Sequence, residues 1–139
     1  MISQSQAKYL GTNPAAGSEI SETVPAGASW GLLAVSISLV QGLTQTPQPV
    51  LTIDDGTDIV FQSVGASAAQ AVSTTCRYNW APGLATSAVL GSGANCVAFA
   101  PLPAGLVLGA GWRVRTSTLG IGANSDYAAP AFVIVNYGS

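Results

Sequence analysis

The chain has 139 residues, of which only ten are charged (four Lys or Arg, six Asp or Glu), and it contains no histidine. Soluble domains usually carry about 25% charged residues, against 7% here. The only cations are Lys8, Arg77, Arg113 and Arg115, too few and too scattered to displace counterions from nucleic acid, and without imidazole the usual proton-transfer group and the commonest metal ligand are both missing.

No enzyme, cofactor or metal site is therefore expected. A surface this poor in charge loses little hydration when another protein covers it, so a structural or binding domain within an assembly is the first expectation. The length suits one domain. The most apolar stretch, residues 30–40, contains Ser36 and Ser38 and falls short of the roughly 20 residues a bilayer requires, so no membrane span is expected. No basic segment followed by an apolar run opens the chain, which points to a cytosolic assembly site. Cys76 and Cys96 read as two reduced, buried thiols, with a disulfide as the alternative.

Residues 1–17 have a weak pattern and read as an N-terminal arm or edge strand. Such arms add a strand to a neighbour, so Tyr9 and Leu10 are candidate partner contacts. Residues 18–139 read as the main domain. A short strand is expected at residues 20–24. Pro25, Ala26 and Gly27 then form a turn ahead of Trp30. The clearest two-residue alternation follows, with Leu33, Val35, Ile37 and Leu39 on one face and Ala34, Ser36 and Ser38 on the other. Residues 50–53 and 59–62 flank Asp54, Asp55, Gly56, Thr57 and Asp58, a hairpin signal because Asp-Gly tolerates positive φ. Residues 65–71 are alanine-rich but lack an apolar stripe, and read as a loop.

Residues 74–80 alternate and end at Pro82 and Gly83. Residues 88–90 and 96–99 are further strand pieces. Pro103, Ala104 and Gly105 repeat the earlier turn ahead of Trp112, and both tryptophans read as plugs at a sandwich corner. Residues 111–117 and 131–137 complete the strands. Short strands with regular turns and almost no helical pattern predict an all-β fold. The specific expectation is an antiparallel β-sandwich, a jelly roll of about eight strands.

The carboxylates Asp54, Asp55 and Asp58 lack the spacing of a calcium loop and read as a turn capping its own backbone. Glu19 and Glu22 are not placed together as an acid–base pair. Arg113 and Arg115 share a strand face and are expected to pair with nearby acids. Trp80 and Tyr127 adjoin Pro-, Gly- and Asn-rich loops and are candidate contact residues.

Several segments together resemble a known group. They are the run from Glu22 through Pro25 and Gly27 into a Trp-led strand, residues 51–56, residues 78–83, residues 102–105, and residues 111–116. These are similar to small virion proteins of tailed bacteriophages, and most of all to the jelly-roll cement or decoration proteins of phage heads. The resemblance covers roughly residues 19–137 and carries no catalytic signature. It implies a virion structural protein on the capsid surface that bridges and stabilises major capsid protein subunits, as a homo-oligomer, a dimer ahead of a trimer. The alternative is a tail-tip or fibre-head jelly roll that binds a host-surface glycan.

Overall fold

A computed structural model describes residues 5–137. Ten strands form among the described residues, and no helix does. They are β1 (Ser5–Leu10), β2 (Ser21–Thr23), β3 (Trp30–Gln41), β4 (Val50–Asp54), β5 (Ile59–Val64), β6 (Thr74–Ala81), β7 (Cys96–Pro101), β8 (Val107–Leu108), β9 (Arg113–Thr116) and β10 (Ser125–Asn136).

The larger sheet has the order β1-β10-β3-β6-β7, with β8 on the start of β3, and the smaller has the order β2-β9-β4-β5. With β7 and β8 set aside, the ladder pairs are β1 with β10, β2 with β9, β3 with β6, and β4 with β5. These are the rungs of one long antiparallel hairpin whose tip is the β4–β5 turn. Rolled so that successive rungs fall alternately in the two sheets, it is the jelly roll. The chain is all-β, with two sheets packed as a sandwich.

Two features depart from the simple expectation. The larger sheet is mixed, because β7 lies parallel to β6. The connection between them, residues 82–95, has the dozen or more residues that a parallel crossover needs. The alternation in β3 also breaks. Leu32, Val35, Ile37 and Leu39 are buried, whereas Leu33 is only half-buried. Pairing with β10 slips between Ala34 opposite Val133 and Leu32 opposite Ile134, so Leu33 is the extra residue of a β-bulge. One inserted residue turns Leu32 inward in place of Leu33.

A second bulge interrupts β10, between Ala128 and Ala131. It accommodates Pro130, whose missing N–H would otherwise break a central ladder. The β1–β2 connection is fastened at this point. Gly11 N–H donates to the Pro130 carbonyl at 2.9 Å, and Ala129 N–H donates to Asn13 Oδ1 at 2.9 Å. Residues 5–17 thus close on their own domain, with β1 as the edge strand next to β10; the first four residues of the predicted arm lie outside the described residues.

The core lies between the sheets and includes Trp30, Leu39, Ile53, Trp80, Val114 and Phe132. The Pro25, Ala26, Gly27 turn forms as expected, with Gly27 at φ 79° and Ala28 N–H donating to the Pro25 carbonyl at 3.1 Å. Trp30 follows as a buried plug. The echo differs in detail. After the second Pro-Ala-Gly comes β8, which pairs with Trp30 and Gly31, and the half-buried Trp112 sits in a turn just before β9. Residues 65–71 form a loop, and residues 88–90 supply only one bridge, from Leu90 to Val97.

Candidate functional site

The outer face of the larger sheet follows from strand alternation. On β6, Cys76, Tyr78 and Trp80 point into the core, which leaves Thr75, Arg77 and Asn79 outside. Register carries that face across the sheet. Asn79 stands opposite Ser36 and Phe99, Arg77 opposite Ser38 and Val97, and Thr75 opposite Val40. On β10, Ala131, Ala128 and Asp126 continue the same rows.

The polar groups of this face bond to one another. Arg77 lies across β3, its Nε donating to Ser36 Oγ at 2.8 Å and its Nη1 to Ser38 Oγ at 3.0 Å. Ser36 Oγ donates to Asn79 Oδ1 at 3.0 Å, and Asn79 Nδ2 donates to the Ala98 carbonyl at 3.2 Å. Around those groups stand Ala128, Ala131, Val133, Val97 and Phe99, with Lys8 and Asp126 exposed toward the margins of the face. Covering the centre of the face would cost little desolvation.

The outer face of the smaller sheet is polar. Asp54 on β4 and Arg113 on β9 are direct partners in register, and Arg115 stands opposite Thr52. The Asp54 side chain is 2% exposed. Arg113 Nε donates to its Oδ1 at 2.9 Å and Arg115 Nε to its Oδ2 at 2.6 Å. Burial alone would raise the Asp54 carboxyl; the two guanidinium groups and the Gly56 N–H outweigh it and hold the carboxyl at about 2. Asp55 caps the same turn, its Oδ1 accepting from Thr57 N–H and Asp58 N–H at 2.9 and 2.7 Å. Asp54 and Asp55 thus serve their own backbone and the β9 arginines.

Beside Arg115 an open groove of about 400 Å³ runs along residues 115–119 against Glu19, Ile20 and Ser21. Its carboxylate is already engaged: Glu19 accepts from Thr116 Oγ1 at 2.8 Å, Thr118 N–H at 2.7 Å and Thr118 Oγ1 at 2.6 Å. Glu22 points the other way, into the β1–β2 side of the sandwich, where it accepts from Thr12 N–H at 2.6 Å. The two glutamates do not share a cleft.

The four candidate contact residues separate cleanly. Trp80 and Tyr127 are 0% and 1% exposed, so neither presents a face to a partner. Both are core aromatics with an internal hydrogen bond, Trp80 Nε1 to the Ser63 carbonyl at 3.1 Å and the Tyr127 hydroxyl to Thr118. Their nearness to loops in sequence misled because residues close to a strand's end still obey the strand alternation. Tyr9 leans inward on Trp30, with ring centroids 4.8 Å apart. Leu10 is exposed at 67%, on the outer face beside Ala131. The residue that sequence reasoning missed is Arg77. The alternation of residues 74–80 places it outside, but only the strand order puts it in the middle of a broad face.

Comparison with protein-family models, with curated proteins and with solved structures finds no match to this chain.

Proposed function

We propose that the chain is a virion structural protein, a cement or decoration protein that bridges and stabilises the major capsid protein subunits of a tailed bacteriophage head. The observation that carries this reading is the outer face of the larger sheet, five strands wide, whose central polar groups, Arg77, Ser36, Ser38 and Asn79, bond to one another and are flanked by Ala128, Ala131, Val133 and Val97. Such a face suits permanent burial against a neighbour better than it suits water. The reading also draws on the turn-and-strand resemblance described from the sequence. Its mechanism is mechanical: many shallow contacts, repeated over a lattice, add up through avidity.

The alternative, a glycan-binding jelly roll at the tail, had Trp80 and Tyr127 as its candidate contact residues. Both are interior and cannot touch a glycan. The test is to compare heads assembled with and without the protein. Heads lacking it are expected to form but to lose DNA at a lower temperature, and equal heat resistance of the two would contradict the proposal.

A further inference from the structure

Every edge of a sheet leaves a row of backbone N–H and C=O groups without a partner, and folded proteins blunt such edges. With the two-residue β8 set aside, the two sheets end in β1, β7, β2 and β5. Three of these edges are blunted. β1 carries the charge of Lys8, and β2 is three residues long. β7 is covered by the segment that follows β6. Ser87 N–H donates to the Phe99 carbonyl at 2.9 Å, Phe99 N–H donates to Ser87 Oγ at 2.9 Å, and Leu90 bridges Val97. β5 differs. It has six residues without a charge, and Ile59 and Val60 are exposed at 54% and 47%. The ladder decides which of its groups stand open, because residues of an antiparallel strand turn their backbone groups alternately to one side and the other. Ser117 N–H donates to the Val50 carbonyl and Gly65 N–H to the Pro49 carbonyl, both at 2.8 Å. Val50 therefore faces β9, while Leu51 and Ile53 face Ser63 and Phe61 of β5. Gln62 and Val64 then point their N–H and C=O groups away from β4, and no described group bonds to these four.

We propose that the β5 edge takes an extended segment of a partner polypeptide as a fifth strand of the smaller sheet. The partner is the major capsid protein, so this inference rests on the structural-protein reading and names a second contact, apart from the broad face. The edge itself specifies the occupant. Four main-chain groups at strand spacing are matched by an extended backbone and by no other common element. The segment has no proline where it must donate to Gln62 or Val64. It is uncharged beside Ile59, Val60 and Val64, because a charge there would lose water and gain no partner on β5. Its placement suits a bridging molecule. With the larger sheet lying on one capsid subunit, the smaller sheet stands about 10 Å above it, a height that about three extended residues span. A segment rising from the adjacent subunit reaches β5, so the face and the edge hold different subunits.

The test is amide hydrogen exchange, read residue by residue by mass spectrometry, on the free protein and on the protein bound to heads assembled without it. In the free protein, Phe61 and Ser63 should exchange slowly and Gln62 and Val64 fast. On heads, Gln62 and Val64 should slow by roughly tenfold or more. Two variants give a second readout, with thermal unfolding as a check on folding. Gln62→Pro deletes an outward N–H, which an edge strand tolerates, and should bind heads roughly tenfold more weakly. Gln62→Ala loses the side-chain bond to Thr52 Oγ1 but keeps the N–H, and should bind as the wild type does. Where the proline variant fails to fold, the exchange measurement still decides. Bound protein whose Gln62 and Val64 exchange as fast as in the free protein, or a folded proline variant that binds as tightly as the alanine one, would overturn the added strand and leave the virion role standing. A wild type that does not bind heads would remove both.

Discussion

Asp54 shows how one side chain can organise a face that has few charges to spend. It is buried, yet it holds two arginines, and its carboxyl sits at about 2 instead of its usual 3.8. A carboxyl lowered by folding stabilises the protein above its unfolded value and loses that contribution as pH falls through the folded one. Asp54→Asn should therefore destabilise the domain by about 2 kcal/mol near neutral pH, a figure below that of a fully buried pair because both arginines are partly in water. The gap between wild type and variant should narrow as pH falls from about 4 toward 2. Urea unfolding at neutral and acidic pH measures both, and a pH-independent gap would contradict this assignment. The pairing of Arg113 and Arg115 with an acid was legible in the sequence from their shared face. That both share one carboxylate was not, because the partner lies on β4, 59 and 61 positions away.

Bulges and the added strand mark where periodicity stops being a sufficient guide to an element. The alternation in residues 33–39 identified β3, but Leu33 left the core because a one-residue slip against β10 is a property of the pair of strands. The β10 bulge carries a cost that can be measured. Ala129 sits at φ 49°, a left-handed conformation that penalises any residue with a Cβ by roughly 1–2 kcal/mol. Ala129→Gly should therefore be neutral or stabilise by up to about 1 kcal/mol, whereas glycine in a regular strand is destabilising. Calorimetry of the two proteins checks the sign. The parallel strand β7 sets Cys96 directly beside Cys76. Both are free thiols, and burial pushes the Cys76 thiol up to about 11. Iodoacetamide at about pH 8 should leave Cys76 unmodified in the folded protein and label it rapidly in urea, as read by peptide mass; fast labelling of the native form would place Cys76 outside the core.

At the scale of the whole molecule, turn spacing and the two-residue period were enough for the sandwich and its rolled topology, because each strand's apolar face needs a partner layer. The exposed surface was less legible. Tyr9, Leu10, Trp80 and Tyr127 were chosen by nearness to loops or to the terminus, yet which residues share a face depends on strand order. That order brings Arg77, Ser36, Phe99 and Asp126 onto one side of five neighbouring strands. The result is a molecule with one broad side whose central polar groups bond to one another and one polar side centred on Asp54. The first suits permanent burial, and the proposal of a shell-reinforcing protein follows from that asymmetry. Its most direct test is the number of copies per particle, measured by densitometry against the major capsid protein of purified virions. A lattice-reinforcing role predicts copies in the hundreds, in fixed proportion to the capsid subunits; a handful per virion, or none, would contradict it.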